Sequence, residues 1–492
     1  MTAGKRLSEL GLQARQGRDP LLTGITLDSR AVRPGMLFAA LPGTTRHGAE
    51  FAATAIAQGA AAILTDAMGA VTAAGALGLS DTALIVADDP REALAYAAAL
   101  WFGAQPPVMV AVTGTNGKTS VATFCRQIWA ALGREAINIG TTGIEGAWSA
   151  PSSHTTPDTI TLHRMLAEAA AAGVTHAAME ASSHGLDQRR MEGVRLAAAG
   201  FTNLTQDHLD YHHTMAAYFS AKAGLFTRLL PPEGIAVINL DGARGSDMAG
   251  AALDRGLRVM TTGKGRGADL QIAATRPDPT GQEVRYLWQG RPFQTRLNLI
   301  GAFQAENVAV AAGLAIAAGE RPEDVLATLP RLSGVRGRMQ LAATRRNGAS
   351  VFVDYAHTPD AIETALRALR PHVMGRIVVV FGAGGDRDRT KRPLMGQAAR
   401  DNADIVYVTD DNPRSEEPAT IRAAIMAACP EAHEVGDRAE AILRAVDTLQ
   451  PGDALLIAGK GHETGQVIKG DVFPFDDAEQ ASIAVAALDG VI

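Results

Sequence analysis

Short, continuous apolar runs alternate with helix-length segments along almost the whole chain, the pattern of an α/β protein whose strands are covered on both faces. Residues 1–103 set such runs among Ala-rich helical stretches, for example Gly48–Gly59 followed by Ala60–Leu64, and close on a helix over Pro90–Phe102. The pair Pro106–Pro107 then punctuates the pattern and a new strand follows, so a first domain is expected over 1–103. In the second block, 104–333, the apolar run Val108–Val112 leads through a Gly-rich turn into a helix over Lys118–Leu132. Strands are expected at Val174–Met179, Ala198–Thr202 and Ile235–Ile238, a β-hairpin over Gln282–Leu299, and a helix over Ala305–Ala318, apolar nearly all round and so buried. The third block, 334–492, reads βαβ throughout, with strands at Val351–Val353, Ile377–Phe381, Ile405–Val408 and Ala454–Ala458. Its helices are expected at Pro359–Leu369, Arg392–Asn402 and Ala419–Cys429, which implies a mostly parallel, Rossmann-like sheet with ligands at the carboxyl ends of its strands.

The length of 492 residues suits about three domains, as the pattern does. A net charge of −6 without a long Lys/Arg run argues against nucleic acid as a partner, though not against phosphorylated small molecules held by a few cations. Two cysteines, Cys125 and Cys429, cannot build a disulfide framework and read as buried free thiols of a reducing compartment. The start of the chain lacks the apolar region of a secretion signal, and no uncharged stretch is long and apolar enough to span a bilayer. No membrane insertion and a cytoplasmic location are therefore expected.

The strongest local signal is Thr113-Gly114-Thr115-Asn116-Gly117-Lys118-Thr119-Ser120, set between a buried strand and a helix. Glycines let backbone N–H groups converge on phosphate oxygens, and the helix N-terminus adds partial positive charge. Lys118 would neutralise the β- and γ-phosphates of a nucleotide, and the Thr119 hydroxyl would ligate Mg²⁺. The long P-loop spacing requires Gly at position 112, where Val112 stands, so a generic P-loop NTPase is disfavoured.

In its short form this loop resembles the ATP loop of the Mur ligase family, which also includes folylpolyglutamate synthetase. Further motifs follow in family order: Thr26–Arg30, Met179–Leu186, Asp207–His212, Asp354–Pro359, Asp411–Arg414 and Gly459–Glu463. The resemblance covers essentially the whole chain. It implies an N-terminal UDP-binding α/β domain, a central P-loop-type parallel-sheet ATPase domain and a C-terminal α/β domain for the incoming amino acid.

The implied activity is ATP-dependent addition of meso-diaminopimelate to a UDP-linked muramoyl dipeptide through an acyl phosphate, in peptidoglycan synthesis, by a monomer. Such chemistry needs no protein nucleophile, only positioning and charge neutralisation. The resemblance further implies a second Mg²⁺ beside the γ-phosphate, contacted by Glu180 and His208, and a Lys222 carbamylated by CO₂ into a carboxylate-like ligand. Gly114 to Ser120, Asn307, Arg338 and Asp354 are the expected ATP contacts. Leu27, Ser29, Thr44, Thr45 and Arg46 are expected at the uridine end. Thr155, Thr156, Ser182, Gln188 and Arg190 are expected on the muramoyl peptide, where a guanidinium suits the D-glutamate carboxylates. Arg387, Asp411, Asn412, Pro413, Arg414, Gly459 and Glu463 are expected on diaminopimelate, with Arg414 on the distal carboxylate and Glu463 on the distal ammonium.

His154 and Gln304 stand where related sequences carry Asn, and His184 and His357 are open between chemical and structural roles. Rival readings are the same ligase with L-lysine or a folate glutamate as acceptor, and a non-catalytic nucleotide-binding module. The folate version is disfavoured by the extra first domain, and the module by the joint presence of Lys118, Glu180, His208 and Lys222. Gly382-Ala383-Gly384-Gly385 after a strand lacks dinucleotide-fingerprint spacing and reads as a tight substrate loop.

Overall fold

The structure, a computed structural model, describes residues 4–43, 45–152, 154–242 and 244–491. It forms two compact units: Met1–Thr262 with Val310–Val325, and Gly263–Ala309 with Leu326–Ile492.

The first unit opens on a four-stranded parallel sheet in sequence order: β1 (Gly24–Thr26), β2 (Met36–Ala39), β3 (Ala62–Thr65) and β4 (Ala83–Val86). Helix α1 (Pro90–Phe102) follows, as its residues predict. The Asp89 carboxylate caps it by accepting from the Arg91 and Glu92 amides, and Pro90 supplies the preset first turn. Its buried stripe, Leu94, Ala97, Ala98 and Trp101, packs into the core of this sheet.

The larger sheet of the unit is built around β5 (Val108–Thr113), buried on both faces from Met109 onward. Helix α2 (Lys118–Ala131), β6 (Ala136–Gly140), the short antiparallel β7 (Gly143–Gly146) and helix α3 (Thr159–Ala171) come next. They are followed by β8 (His176–Glu180), β9 (Ala198–Phe201), helix α4 (Met215–Gly224), β10 (Ile235–Asn239) and β11 (Arg258–Gly263). Spatially the order is β11-β10-β9-β5-β8-β6-β7. The chain thus leaves β5 to one side and returns to the other, a topological switch point at the carboxyl ends of β5, β8 and β9. Helices α1 and α3 pack on one another, and Ile160 reaches the core of the first sheet.

Beside that contact runs a charged cluster. Arg189 donates to Asp89 at 2.9 Å, and Glu192, buried, pairs with both Arg189 and Arg228. Burial and the neighbouring Arg189 pull the Arg228 guanidinium down to about 10.

In the second unit, β12 (Leu270–Asp278), β13 (Gly281–Trp288) and β14 (Arg291–Leu297) form an antiparallel meander. The expected hairpin is its second half, and β12 is the strand the pattern did not reveal, because its outward residues are mostly polar. Helix α5 (Phe303–Ala317), which belongs to this unit up to Ala309 and to the first unit from Val310 on, is buried along nearly its whole length, as its continuous apolar surface predicts.

The remaining chain alternates β15 (Gln340–Thr344), β16 (Ser350–Asp354), α6 (Pro359–Leu369), β17 (Ile377–Phe381), α7 (Lys391–Asn402), β18 (Ile405–Val408) and α8 (Pro418–Met426). It continues with β19 (His433–Glu434), α9 (Arg438–Asp447), β20 (Ala454–Ala458), a hairpin of β21 (Gly465–Ile468) and β22 (Asp471–Pro474), and α10 (Asp477–Leu488). The sheet order is β15-β16-β20-β17-β18-β19, parallel except for the antiparallel edge strand β15. Strict βαβ alternation therefore fails at that edge and at the hairpin. Cys125 and Cys429 are buried free thiols. Among the described residues no helix is long and apolar enough to cross a membrane.

Candidate active site

The Gly-rich turn leaves β5 at the switch point. Gly114 and Gly117 both hold positive φ, and a side chain on Gly114 would collide with the Thr202 hydroxyl. Neighbouring strand ends fix the loop: the Thr115 amide donates to the Asn203 carbonyl at 2.9 Å, the Asn116 amide to Asn203 Oδ1 at 3.0 Å, and Thr202 Oγ1 to the Asn116 carbonyl at 2.6 Å. Gly117 caps α2 without a side chain, so the first-turn amides are presented in the manner of an anion cradle. Lys118 Nζ folds back onto the loop, donating to the Gly114 and Thr115 carbonyls at 2.9 and 2.8 Å.

Strand register explains the position of Glu180. The last residue of β8, it lies opposite Val112, one residue before the turn begins, and its buried carboxylate emerges beside α2. It accepts from Thr119 Oγ1 at 3.0 Å and from the Thr141 amide at 2.8 Å. Gly140 has no room for a methyl group, because the Glu180 carboxylate occupies that space. Thr141 was not foreseen; its signal is the Gly-Thr-Thr-Gly run at the end of β6.

Lys222, on α4, is buried, with 1% of its surface exposed, and donates to the Gly114 carbonyl at 2.6 Å. Its ammonium lies 4.6 Å from the centre of the Tyr218 ring. Burial, reinforced by the charge of Lys118, pulls its pKa well below the usual lysine value, with Asp207 opposing. The Tyr218 hydroxyl, raised to about 12 by burial, lies 3.2 Å from Thr115 Oγ1.

His208 is exposed, in a left-handed conformation, with Nε2 3.4 Å from Asp207. Its ring meets His184 edge-on at 4.9 Å, and His184 stacks against Tyr211 at 4.2 Å. Among the described residues no three His, Cys, Asp or Glu side chains form a metal-binding group. The oxygen donors that converge here are the Thr119 hydroxyl and the Glu180 carboxylate, hard ligands of the type Mg²⁺ takes.

A cavity of about 300 Å³ opens nearby in the same unit, lined among others by Leu27, Gly43, Arg91, Asp158, Gln188 and Arg190. It brings one residue expected at the uridine end together with two expected on the muramoyl peptide. Arg190 donates to the Thr156 carbonyl at 2.6 Å and to Gln188 Oε1 at 2.8 Å, and burial lowers its pKa. The Thr156 hydroxyl donates to the Glu180 carbonyl and accepts the Ser182 amide, tying these residues to the end of β8. Thr155 lies 3.0 Å from Thr141. Ser29 begins a short helical turn capped by Asp28, and Thr45 and Arg46 are exposed in the loop after β2; none of these three lines the cavity, and Thr44 lies outside the described residues. Arg91 and Asp158 were missed, although the capping signals at Asp89 and Asp158 do place both at helix starts.

In the second unit, Asp411–Arg414 follows β18 and Gly459–Glu463 follows β20. Asn412 Nδ2 donates to Glu463 Oε2 at 2.9 Å, and burial raises the Glu463 carboxyl. Arg414, at positive φ, donates to the Gly385 carbonyl at 2.8 Å, while Pro413 is buried. A Cβ on Gly384 would meet both Arg414 and Arg387, so the tight glycine loop brings these arginines close. Gly459 has positive φ and packs on Asp411. The residues expected on diaminopimelate thus gather at the carboxyl ends of three strands.

Asp354 accepts from the Met339 and Ala356 amides at 2.7 and 2.9 Å and is raised by burial. Arg338 stacks 4.6 Å over Tyr355, and Asn307 donates to Gln304 Oε1 at 3.2 Å. His357 packs edge-on against Tyr355, and burial lowers its pKa. Lys460 and Arg438, both wholly buried beneath the amino-acid cluster, escaped the sequence reading.

Comparison with known proteins agrees along the whole length. Models described as "Mur ligase family, catalytic domain", "Mur ligase middle domain" and "Mur ligase, glutamate ligase domain" match residues 21–101, 112–315 and 337–461. The chain is 50% identical to the UDP-N-acetylmuramoyl-L-alanyl-D-glutamate--2,6-diaminopimelate ligase of Caulobacter vibrioides, with 99% of each chain covered. It is 51% identical to the protein of that name from Bradyrhizobium diazoefficiens, with 95% of each covered. A solved structure of a ligase of that name matches at TM-score 0.73 and 35% identity over 99% of both chains. Folylpolyglutamate synthase of Mycobacterium tuberculosis shares the fold at TM-score 0.62 and 20% identity, covering 75% of this chain and 92% of its own. With identity near one half sustained from end to end, and all three of its domains matched in order, this chain belongs to the Mur ligase family.

Proposed function

We propose that the chain is an ATP-dependent ligase that joins meso-diaminopimelate to UDP-N-acetylmuramoyl-L-alanyl-D-glutamate, releasing ADP and phosphate, in peptidoglycan precursor synthesis. Its relatives at about one-half identity carry that name. The observation that carries the choice of amino acid is the presence of both a carboxylate and a guanidinium at the Asn412 loop: Glu463 accepts from Asn412, and Arg414 donates to the Gly385 carbonyl. A distal end bearing both an ammonium and a carboxylate satisfies both groups, whereas lysine would bring no carboxylate for Arg414.

In the reaction a D-glutamate carboxylate oxygen attacks the γ-phosphorus of ATP and ADP leaves. The amine of the amino acid then attacks the acyl carbon, loses a proton, and expels phosphate. Lys118 and the amides of the turn neutralise the phosphates, exchanging loop carbonyls for phosphate oxygens. Arg190, Gln188, Ser182, Thr155 and Thr156 orient the acceptor peptide, and Leu27, Ser29, Thr45 and Arg46 take the uridine end. Asn307, Arg338 and Asp354 are further nucleotide contacts.

Thr119, Glu180 and His208 would hold Mg²⁺, which supplies charge neutralisation at the phosphates when bound. The buried, depressed Lys222 favours the neutral amine that CO₂ requires. Carbamylated there, with its nitrogen bonded to the CO₂ carbon and a proton lost, Lys222 would supply an anionic oxygen ligand. Three domains, 1–103, 104–333 and 334–492, divide these tasks in a monomeric, cytoplasmic enzyme.

Phosphate release from ATP in the presence of the UDP-linked dipeptide tests this reading directly. Release that depends on meso-diaminopimelate and is far weaker with L-lysine is expected; equal kcat/KM for the two would overturn it.

A further inference from the structure

Lys460 follows β20 with none of its side chain exposed, an expensive place for a cation unless its neighbours compensate. Four groups do so. Nζ donates to Asn412 Oδ1 at 3.1 Å and to the Gly465 carbonyl at 2.7 Å, and it lies 3.5 Å from the Asp411 carboxylate and 3.8 Å from that of Glu463.

The decisive partner is Asn412. Its Oδ1 accepts both the Lys460 ammonium and the Val467 amide, the latter at 2.9 Å. With its oxygen end held by two donors, the planar amide must turn Nδ2 outward, and Nδ2 is what donates to Glu463. Charge points the same way. The neighbouring Arg438 is committed to Asp477 through two contacts at 2.7 Å, so one ammonium faces two carboxylates, Asp411 and Glu463. Asp411 Oδ1 is buried with no hydrogen-bond partner. The two carboxylates can receive the distal ammonium of an incoming amino acid beside Lys460.

We propose that Lys460 is a positioning residue of the amino-acid site: it locks the Asn412 amide with its N–H toward Glu463, and so sets the affinity for a substrate carrying a distal ammonium. Removing its charge leaves the amide oxygen held by the Val467 N–H alone and takes a cation away from Asp411 and Glu463, so the pocket is left looser and more negative. The inference rests on the ligase reading above and refines it.

The test is a double-mutant cycle of Lys460→Met and Asn412→Asp, read as steady-state kinetics with each substrate varied in turn. Asn412→Asp keeps acceptors for Lys460 and Val467 but replaces the outward N–H by an oxygen. Each single variant should raise KM for meso-diaminopimelate on the order of tenfold, leaving KM for ATP and for the UDP-linked dipeptide unchanged. The double variant should be little worse than either single one, because both changes break the same contact. Effects on diaminopimelate that multiply independently, or KM values that rise alike for all three substrates, would reduce Lys460 to a general structural cation and overturn the proposal. Should Lys460→Met fail to fold, Lys460→Gln, which retains a donor for Gly465, enters the same cycle and is judged by the same outcomes. An unmutated protein that does not consume diaminopimelate would overturn the ligase reading and this inference with it.

Discussion

At the scale of single residues, Lys118 holds two loop carbonyls that a nucleotide phosphate would replace. Lys118→Ala should lower kcat by about 10² or more, since the lost charge matters most as negative charge moves in the transition state. Phosphate-release kinetics at saturating ATP check this, and a variant with normal kcat and only a raised KM for ATP would make Lys118 a ground-state contact. Arg414→Ala should lose most of the preference for diaminopimelate without gaining efficient lysine ligation, because the arginine is replaced by no new contact; competition between the two amino acids reports it. His163 supplies a pH effect. Buried on α3, with its ring nitrogen 2.9 Å from the Glu192 carbonyl, it is pulled down by burial to about 4 from 6.5. The folded state therefore binds fewer protons than the unfolded one between those values, so the stability due to neutral His163 is complete above 6.5 and lost as pH falls toward 4. A shift of this size corresponds to about 3 kcal/mol. His163→Leu should flatten the fall of Tm between pH 6.5 and 4, and an unchanged slope in thermal melts would contradict the assignment.

At the scale of elements, the end of β6 admits no methyl group at position 140, because the Glu180 carboxylate fills that space. Gly140→Ala is expected to cost about 1–3 kcal/mol and to displace Glu180, lowering both Tm and turnover. Undiminished turnover would show that the Glu180 carboxylate need not stay where Thr119 and Thr141 hold it. The elements themselves were largely legible in the chain. β17, β18, β20, α1 and α6 lie where apolar runs and capping residues put them, because buried strands and capped helices write their period locally. What escaped was set by distant partners. β12 presents few outward apolar residues, and β15 became an antiparallel edge through pairing with β16. The site divides similarly. The Gly-Lys-Thr turn is readable from its place between a buried strand and a helix, whereas Thr141, Arg91 and Lys460 gain their roles only when distant segments of the chain meet.

At the scale of the whole molecule, the proline pair after residue 103 marks a change of sequence pattern, yet residues on both sides of it share one compact unit, with α1 packed on α3. A chain of 104–492 should keep affinity for ATP and lose use of the UDP-linked dipeptide. It should also melt well below the full chain, because Ile160 loses its apolar cover and Arg189 its partner Asp89. Calorimetry with each ligand separates these effects, and intact affinity for the UDP substrate would refute the placement of the uridine end. The same Asp89–Arg189–Glu192–Arg228 cluster also bears on how the protein can evolve. A buried acid shared by two arginines cannot be exchanged alone without stranding a charge. Substitutions at Glu192 should therefore be inherited together with changes at Arg228 or Arg189. In an alignment of the family these positions should vary as a block, and lineages that have lost the acid should have lost an arginine with it.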